Sequence, residues 1–390
     1  MRALIIDDSA VMRKVIERAL RQAGLELSEV LQASNGEEAL AALRQDGGNS
    51  NPLALILSDI NMPVMDGLTL LVKLLELNPD IQPVVVSAYG DMKNIRTAMN
   101  CGAFDFLTKP IDFEDFRTTI ANALQQLRMV KESSQNRERL AAVQRELSIA
   151  RTIQQSILPR ACPQFVGPAP VEVAATMLPA RSVGGDFYDY FLIDPERLGL
   201  VIGDVSGKGV PAAIFMAMGA TVLKTVAMRG GPPGECLKEV NAFLCGQNRA
   251  EMFITIFYGV LNVCTGELQF ANAGHNPPYR ISCDRVPTVL KAEAGGMPIG
   301  LRETESYGTS RIVLSPNEVL FLYTDGVTEA MNVDGQQFTS ERLVAFLKGS
   351  NGLSAADLVN GVVAAVQEFA AGREQSDDLT ILAARYLGKR

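Results

Sequence analysis

Residues 184–209 read G-G-D-F-Y-D-Y-F-L-I-D-P-E-R-L-G-L-V-I-G-D-V-S-G-K-G, with an apolar run on either side of Asp194-Pro195. This pattern predicts a β-hairpin. With the turn near residue 195, opposed residues have numbers that add up to 390, so Asp186 and Asp204 face each other with Cβ atoms about 5 Å apart. The hairpin alone leaves two interpretations open. Either a divalent cation with oxygen ligands lies between the acids, or the hairpin is exposed and its acids are merely solvated.

The length and composition of the chain set the frame for this hairpin. A chain of 390 residues predicts two domains, and its net charge of −8 argues against broad nucleic-acid binding. The six cysteines are scattered without metal-ligand spacing, the N-terminus does not have the pattern of a signal peptide, and the apolar segment Ala212–Leu223 is short for a membrane span. We therefore expect a soluble, cytoplasmic protein without a membrane partner.

The first third of the chain alternates short apolar runs with helical patterns. Alternation of this kind predicts a doubly wound, five-stranded parallel sheet with helices on both faces. Ligands of such sheets bind at the carboxyl ends of the strands, so the polar residues that end the strands carry information. These are Asp7, Asp8, Asp59, Ser87 and Lys109.

Three acids, a hydroxyl and an ammonium at one sheet edge form a set suited to phosphoryl transfer. Asp7, Asp8 and Asp59 are able to hold Mg²⁺, and Asp59 is able to attack phosphorus as a nucleophile. Lys109 would neutralise phosphoryl charge, and Ser87 would donate a hydrogen bond to it.

Four motifs of this region carry a resemblance: D-D at 7–8, S-D-I-N-M-P-V-M-D-G at 58–67, V-V-V-S-A at 84–88 and F-L-T-K-P at 106–110. They resemble the receiver domain of two-component response regulators over residues 1–122. The resemblance implies Asp59 as phosphoacceptor, a sensor histidine kinase as phosphodonor, and Phe106 as the aromatic switch that follows Ser87. Family members often have tyrosine at position 106 and threonine at position 87.

Residues 123–160 predict a helical linker. Leu140, Val143, Leu147, Ala150 and Ile157 fit a heptad spacing, with Gln154 as the polar exception, and the register breaks across 131–139. The pattern fits a short coiled coil that makes the protein a homodimer. The alternative is an amphipathic helix packed on one of its own domains.

Residues 161–390 segregate strands from helices, which predicts an α+β domain with antiparallel sheets. Asp325 follows one buried strand and Asp377-Asp378 precede another, so antiparallel pairing would bring them to one edge, where Asp186 and Asp204 could meet them. Carboxylates without nearby His or Cys suit two Mg²⁺ or Mn²⁺ ions, which would activate a bridging water. His275, in a turn sequence, is interpreted as structural.

Five motifs carry a second resemblance: G-G-D-F-Y-D, G-D-V-S-G-K-G, A-G-H-N-P-P, Y-T-D-G-V-T-E-A and S-D-D-L-T. They resemble metal-dependent (PPM-type) protein serine/threonine phosphatases over residues 146–390, above all the bacterial branch that dephosphorylates anti-sigma-factor antagonists. The resemblance implies a catalytic metal site made of Asp186, Asp204 with the carbonyl of Val205, Asp325 and Asp377. The last family motif is usually Asp-Asn, and the ligand is assigned to Asp377 rather than Asp378. Arg181 is a candidate for the phosphate-binding arginine of the eukaryotic members.

The sequence therefore predicts a response regulator, phosphorylated on Asp59, that controls a phosphoserine phosphatase acting on a phosphorylated anti-sigma-factor antagonist in stress and sporulation control. Two alternatives remain. One is a diguanylate cyclase, because Gly184–Phe187 partly matches G-G-D-E-F but lacks its glutamate. The other is a catalytically silent module that binds a partner. The identity of the kinase and the sign of the phosphorylation effect do not follow from the sequence.

Overall fold

A computed structural model describes residues 2–46, 53–77, 81–88, 90–159, 165, 170–282, 286–292 and 295–388. The chain divides into two compact units, Met1–Val143 and Gln144–Arg390. Each unit has its own buried apolar clusters.

The N-terminal unit alternates strands and helices. The strands are β1 (Arg2–Ile6), β2 (Glu29–Ala33), β3 (Leu53–Asp59), β4 (Pro83–Ala88) and β5 (Asp105–Lys109), and the helices are α1 (Ala10–Gln22), α2 (Gly36–Asp46), α3 (Gly67–Leu77), α4 (Met92–Asn100) and α5 (Phe113–Ile157). All strand pairs are parallel, in the order β2-β1-β3-β4-β5. Apolar clusters on the two faces of the sheet bury its central strands. The predicted doubly wound sheet is confirmed.

Helix α5 has 45 residues and continues through the predicted linker. It contains no glycine or proline, so the break in heptad register across 131–139 does not break the helix. The stripe itself meets two environments. Leu140 and Val143 are 59 % and 52 % exposed, whereas Gln154 is buried and Ile157 packs against an apolar cluster of the C-terminal unit. The last turns of the helix are therefore already packed against their own domain.

The C-terminal unit is built from two antiparallel sheets and five further helices. Its strands are β6 (Val171–Leu178), β7 (Phe187–Asp194), β8 (Arg197–Val205), β9 (Ile254–Asn262), β10 (Glu267–Ala273), β11 (Tyr279–Ile281), β12 (Thr288–Val289), β13 (Ser310–Val313), β14 (Val319–Tyr323) and β15 (Leu379–Tyr386). Its helices are α6 (Val210–Ala227), α7 (Pro233–Gln247), α8 (Asp325–Thr328), α9 (Thr339–Lys348) and α10 (Ala355–Ala370). The sheet orders are β13-β10-β9-β8-β7 and β12-β11-β14-β15-β6.

Side chains alternate between the two faces of each sheet, so the apolar core of this unit forms three layers: one between the sheets and one between each sheet and its helices. In β8, Leu200 and Ile202 face the opposite sheet, while Val201 faces helices α6 and α7. In β14, Leu320 faces the first sheet, and its neighbours on the strand face α9 and α10. The unit is thus a sandwich of helices, sheet, sheet and helices, which confirms the predicted α+β architecture.

Helix α6 is the one described helix that is long and apolar enough to cross a membrane by length and composition alone. Its buried residues, including Phe215, Met216 and Leu223, belong to the apolar cluster between the first sheet and α7.

Candidate active site

The predicted hairpin is β7 followed by β8. Phe187 pairs with Gly203, and the pairing continues to Leu192 with Leu198, so every opposed pair up to that point adds up to 390. A bulge at Ile193 shifts the register only next to the turn. Asp186 directly precedes β7, and Asp204 lies at the matching position near the end of β8, so the register brings them together as the sequence predicts.

The strands β14 and β15 bring the second pair of acids to the same place. They pair antiparallel, with Tyr323 opposite Ile381, so Asp325 and Asp377 lie at one end of the sheet. The hydroxyl of Thr324 donates to Asp186 Oδ2 at 2.7 Å, which joins this end to the hairpin of the other sheet.

Burial and the charges of neighbouring acids raise the pKa of three of the four acids. Burial and then the charge of Asp204 raise the pKa of Asp186 well above its usual value. Burial and then Asp325 raise the pKa of Asp204 to about 7, and burial and then Asp377 raise the pKa of Asp325. These carboxylates therefore converge on one region that lacks sufficient positive charge.

Asp377 and Asp378 have different surroundings. Asp378 Oδ1 accepts from the backbone N–H of Ala180 at 2.8 Å, and its Oδ2 accepts from Gly185 at 2.6 Å and Asp186 at 3.4 Å. Asp377 is partly exposed, and its Oδ2 accepts from Lys208 Nζ at 2.8 Å. Asp378 is thus held by the backbone of 180–186, and its charge contributes to the raised pKa of Asp186 and Asp204. Asp377 pairs with Lys208, and its charge contributes to the raised pKa of Asp204 and Asp325.

Glycines allow the chain to approach itself here. A Cβ on Gly184 would lie 2.4 Å from Asp378 Oδ2, and one on Gly326 would lie 1.9 Å from the carbonyl oxygen of Asp378. The carbonyl of Val205, predicted as a ligand, lies 3.0 Å from where a Cβ of Gly185 would stand. The G-G-D and D-G pairs of the sequence are therefore steric requirements of this site.

His275 is buried, and its ring bonds to a neighbour of the acids rather than to the acids themselves. Its Nδ1 lies 2.9 Å from the hydroxyl of Thr255, the cross-strand partner of Asp204. Its backbone N–H donates to Asn272 Oδ1, which closes the turn. Burial lowers the pKa of His275 to about 4, so the ring is neutral at physiological pH.

Sequence reasoning missed three polar residues around this site. Thr324 and Lys208 stand inside the quoted motifs, next to or near predicted ligands. Gln154 was visible only as the polar exception of a heptad. Its Nε2 donates to the carbonyl of Gly184 at 2.6 Å, and its Oε1 accepts from the Gly184 N–H at 3.1 Å. By contrast, Arg181 is exposed in the loop before Gly184.

The second polar site lies at the carboxyl edge of the parallel sheet. Carboxylate oxygens of Asp7, Asp8 and Asp59 lie within 4.8 Å of one another. Among the described residues this is the acidic cluster whose oxygen atoms lie close enough together for a single ion.

Lys109 is the counter-charge of the sheet-edge acids. Its Nζ lies 2.8 Å from Asp7 Oδ2 and 2.7 Å from Asp59 Oδ2. Burial raises the pKa of Asp59, against the pull of Lys109. Burial alone would lower the pKa of Lys109, but its hydrogen bonds to Asp59 and Asp7 outweigh burial and raise it.

The two predicted switch residues lie beside this edge. Ser87 is fully buried at the end of β4, and its hydroxyl lies 3.4 Å from Asp91 Oδ2. Phe106 is half-buried against the cluster that contains Leu71 and Val85. Among the described residues, neither Ser87 nor Phe106 forms a hydrogen bond with Asp59.

Two polar sites thus characterise the chain: three aspartates with a lysine at the edge of a parallel sheet, and four aspartates at the ends of strands in a two-sheet sandwich. Comparison with known families agrees. Residues 3–121 match the response regulator receiver domain, and residues 194–387 match the Stage II sporulation protein E (SpoIIE) family. The chain therefore carries a response regulator receiver domain followed by a domain of the SpoIIE type.

Individual relatives cover parts of the chain. Protein IcfG of Synechocystis is 30 % identical over 266 residues, 61 % of this chain and 41 % of IcfG. Phosphoserine phosphatase RsbU of Bacillus subtilis is 32 % identical over 193 residues, 50 % of this chain and 56 % of RsbU. The chain thus spans about half the length of these curated relatives. The SiaA-PP2C domain of Pseudomonas aeruginosa shares the fold, with a TM-score of 0.55 at 22 % identity, over 63 % of this chain and 98 % of that one.

Proposed function

We propose that this protein is a response regulator, phosphorylated on Asp59, that controls a C-terminal Mg²⁺- or Mn²⁺-dependent phosphoserine phosphatase. The observation that carries the proposal is the convergence of Asp186, Asp204, Asp325 and Asp377 from two sheets, where burial and neighbouring negative charge raise the pKa of the first three. We further propose domains at 1–122 and 161–390, joined by a helical linker at 123–160.

The donor set fits two divalent cations. Four carboxylates carry the charge that two such ions neutralise, and hard oxygen ligands suit Mg²⁺ and Mn²⁺. Asp186, Asp204 with the carbonyl of Val205, Asp325 and Asp377 would hold them. When bound, the ions would activate a water and polarise the phosphate ester.

The other residues of the site position this set. Thr324 fixes the Asp186 carboxylate through its hydroxyl, and Asp378 holds the 180–186 loop by its backbone N–H groups. Lys208 lies next to Asp377 with 40 % of its side chain exposed. Its ammonium therefore stands at the mouth of the acid cluster, where it would offset the charge of an entering phosphate.

In the receiver, Asp59 would act as the nucleophile on phosphorus. Asp7 and Asp8 would hold Mg²⁺ together with it, and Lys109 would neutralise the phosphoryl oxygens. Ser87 would then turn from Asp91 towards the phosphoryl group, and Phe106 would follow it. Phosphorylation would influence the phosphatase only by favouring one of two arrangements of different free energy.

The partners follow from these roles. A sensor histidine kinase would supply the phosphoryl group, and a phosphorylated anti-sigma-factor antagonist in the cytoplasm would be the substrate. The relative RsbU is named a phosphoserine phosphatase, which supports phosphoserine as the residue that is dephosphorylated. A homodimer would form through the part of the heptad stripe that stays exposed, at Leu140 and Val143.

The test is phosphatase activity measured with and without phosphorylation of the receiver. With saturating Mn²⁺, the protein should hydrolyse p-nitrophenyl phosphate, and Asp204→Ala should abolish turnover while the protein stays folded. Activity of that variant near the unsubstituted level would contradict the metal site. Absence of metal-dependent turnover in the unsubstituted protein would favour the silent binding module, and synthesis of a cyclic dinucleotide would favour the cyclase.

The dimer has its own test. Charged residues at Leu140 and Leu147 should weaken dimerisation in sedimentation experiments and uncouple activity from Asp59 phosphorylation. A dimer and a phosphorylation response that both survive unchanged would contradict the linker's role.

A further inference from the structure

A cavity of about 240 Å³ lies next to the acidic centre of the C-terminal unit. It is the space of about eight water molecules in the liquid. Its apolar lining includes Leu178, Met331, Val366 and Leu379.

The cavity shares its wall with the acidic centre. Gly326, which follows Asp325, and Ser376, which precedes Asp377, both line it. Two of the four acids therefore stand on backbone that continues directly into the cavity wall.

Hydrogen bonds hold this wall in place. Gln375 Nε2 donates to the carbonyl oxygens of Leu178 and Asp377, both at 2.6 Å. Arg373 Nη1 donates to the carbonyl oxygen of Asn332 at 2.6 Å. The cavity is therefore formed before any ligand enters, and its shape is tied to the position of Asp377.

The chemistry of the lining selects the occupant. The charged residues along it, Arg373 and Glu374, have opposite signs, so the cavity offers no net attraction to a charged group. Its apolar surface favours an aliphatic side chain, and its volume suits one such side chain rather than a length of peptide.

We propose that this cavity binds an aliphatic side chain, of the size of Leu, Ile or Met, that flanks the phosphoserine in the substrate protein. The proposal rests on the phosphoserine phosphatase function proposed above. It makes the cavity a specificity site: the acids recognise the phosphoserine, and the cavity recognises its neighbour.

The test uses short synthetic peptides with one phosphoserine in an alanine background, in which leucine is placed in turn at each of the three positions on either side. At one of these positions leucine should raise kcat/KM about tenfold or more over alanine, since burial of its side chain is worth that much. Ala370→Phe, which places a ring in the cavity from the end of α10, should abolish this preference. Ala364→Phe, on the exposed face of the same helix, is the matched control and should retain it.

Turnover of p-nitrophenyl phosphate separates the two proposals. The kcat/KM of each variant on the peptides is compared with its own turnover of this ester, so that a general loss of activity at the acidic centre does not count as a loss of the leucine preference. If the unsubstituted protein hydrolyses the ester but shows no leucine preference, or if Ala370→Phe keeps the preference, the cavity assignment is overturned. If the unsubstituted protein does not hydrolyse the ester, the phosphatase function falls and the cavity assignment falls with it.

Discussion

Replacing Asp204 with asparagine should make the metal-free protein more stable at alkaline pH. Burial and the neighbouring acids raise the pKa of this carboxyl from its usual 3.8 to about 7 in the folded state. Its folded pKa is above its unfolded pKa, so the penalty is absent below about pH 4, grows between about pH 4 and 7, and stays at its full value above that. About 3 pKa units at 1.36 kcal/mol each give about 4 kcal/mol at pH 8 and about 2 kcal/mol at pH 5. Asparagine is neutral throughout and avoids this cost.

The assay is urea unfolding in EDTA at these two pH values, followed by tyrosine fluorescence. All of the eight tyrosines except Tyr89 lie after residue 143, so the signal reports on the C-terminal unit. Mn²⁺ should reverse the order, since it stabilises the form with an intact Asp204 and not the variant. The reasoning is refuted if the variant gains nothing at pH 8, if its gain is the same at pH 5, or if Mn²⁺ stabilises both proteins equally.

Three other predictions address the remaining polar groups. Asp59→Asn should prevent labelling by acetyl phosphate or beryllofluoride, and full labelling of this variant would contradict the assignment of Asp59 as phosphoacceptor. His275 has a pKa lowered to about 4, so the wild type should lose about 2 kcal/mol of stability relative to His275→Gln between pH 7 and pH 4.5; unfolding curves at these two pH values measure this, and a constant difference contradicts it. Gln154→Leu leaves the buried peptide groups of Gly184 unpaired, two residues before Asp186, so it should cost about 2 kcal/mol or more and weaken Mn²⁺ binding in calorimetry; unchanged affinity would show that the contact does not position the site.

Much of the fold follows from local patterns. The hairpin register follows from two apolar runs and one turn, because side chains alternate along strands and the turn fixes which residues oppose. The parallel sheet follows from alternating periodicities, and its edge residues Asp7, Asp59 and Lys109 meet because the carboxyl ends of parallel strands lie together. These relations depend on order in the chain and not on distant contacts.

Other features depend on contacts that no local pattern encodes. The two acids Asp377 and Asp378 look alike in the sequence, and only the approach of the 180–186 loop distinguishes them. In the sequence, Gln154 is only a polar residue at an apolar heptad position, and its role follows from its hydrogen bond to Gly184, which is distant in the chain. The strand β6 and the helices α9 and α10 were not predicted, because their apolar residues are typical of any packed segment and only their partners define them.

The adjacency of Asp377 and Asp378 has a mechanical consequence. Asp378 is fastened to the backbone that carries Asp186, and the rigid peptide next to it carries Asp377. These contacts couple Asp186 of the first sheet to Asp377 of the second, so a shift of one is transmitted to the other. The centre closes as a whole or opens as a whole, so we expect occupancy by Mn²⁺ to rise sigmoidally with concentration, as a threshold rather than a graded response.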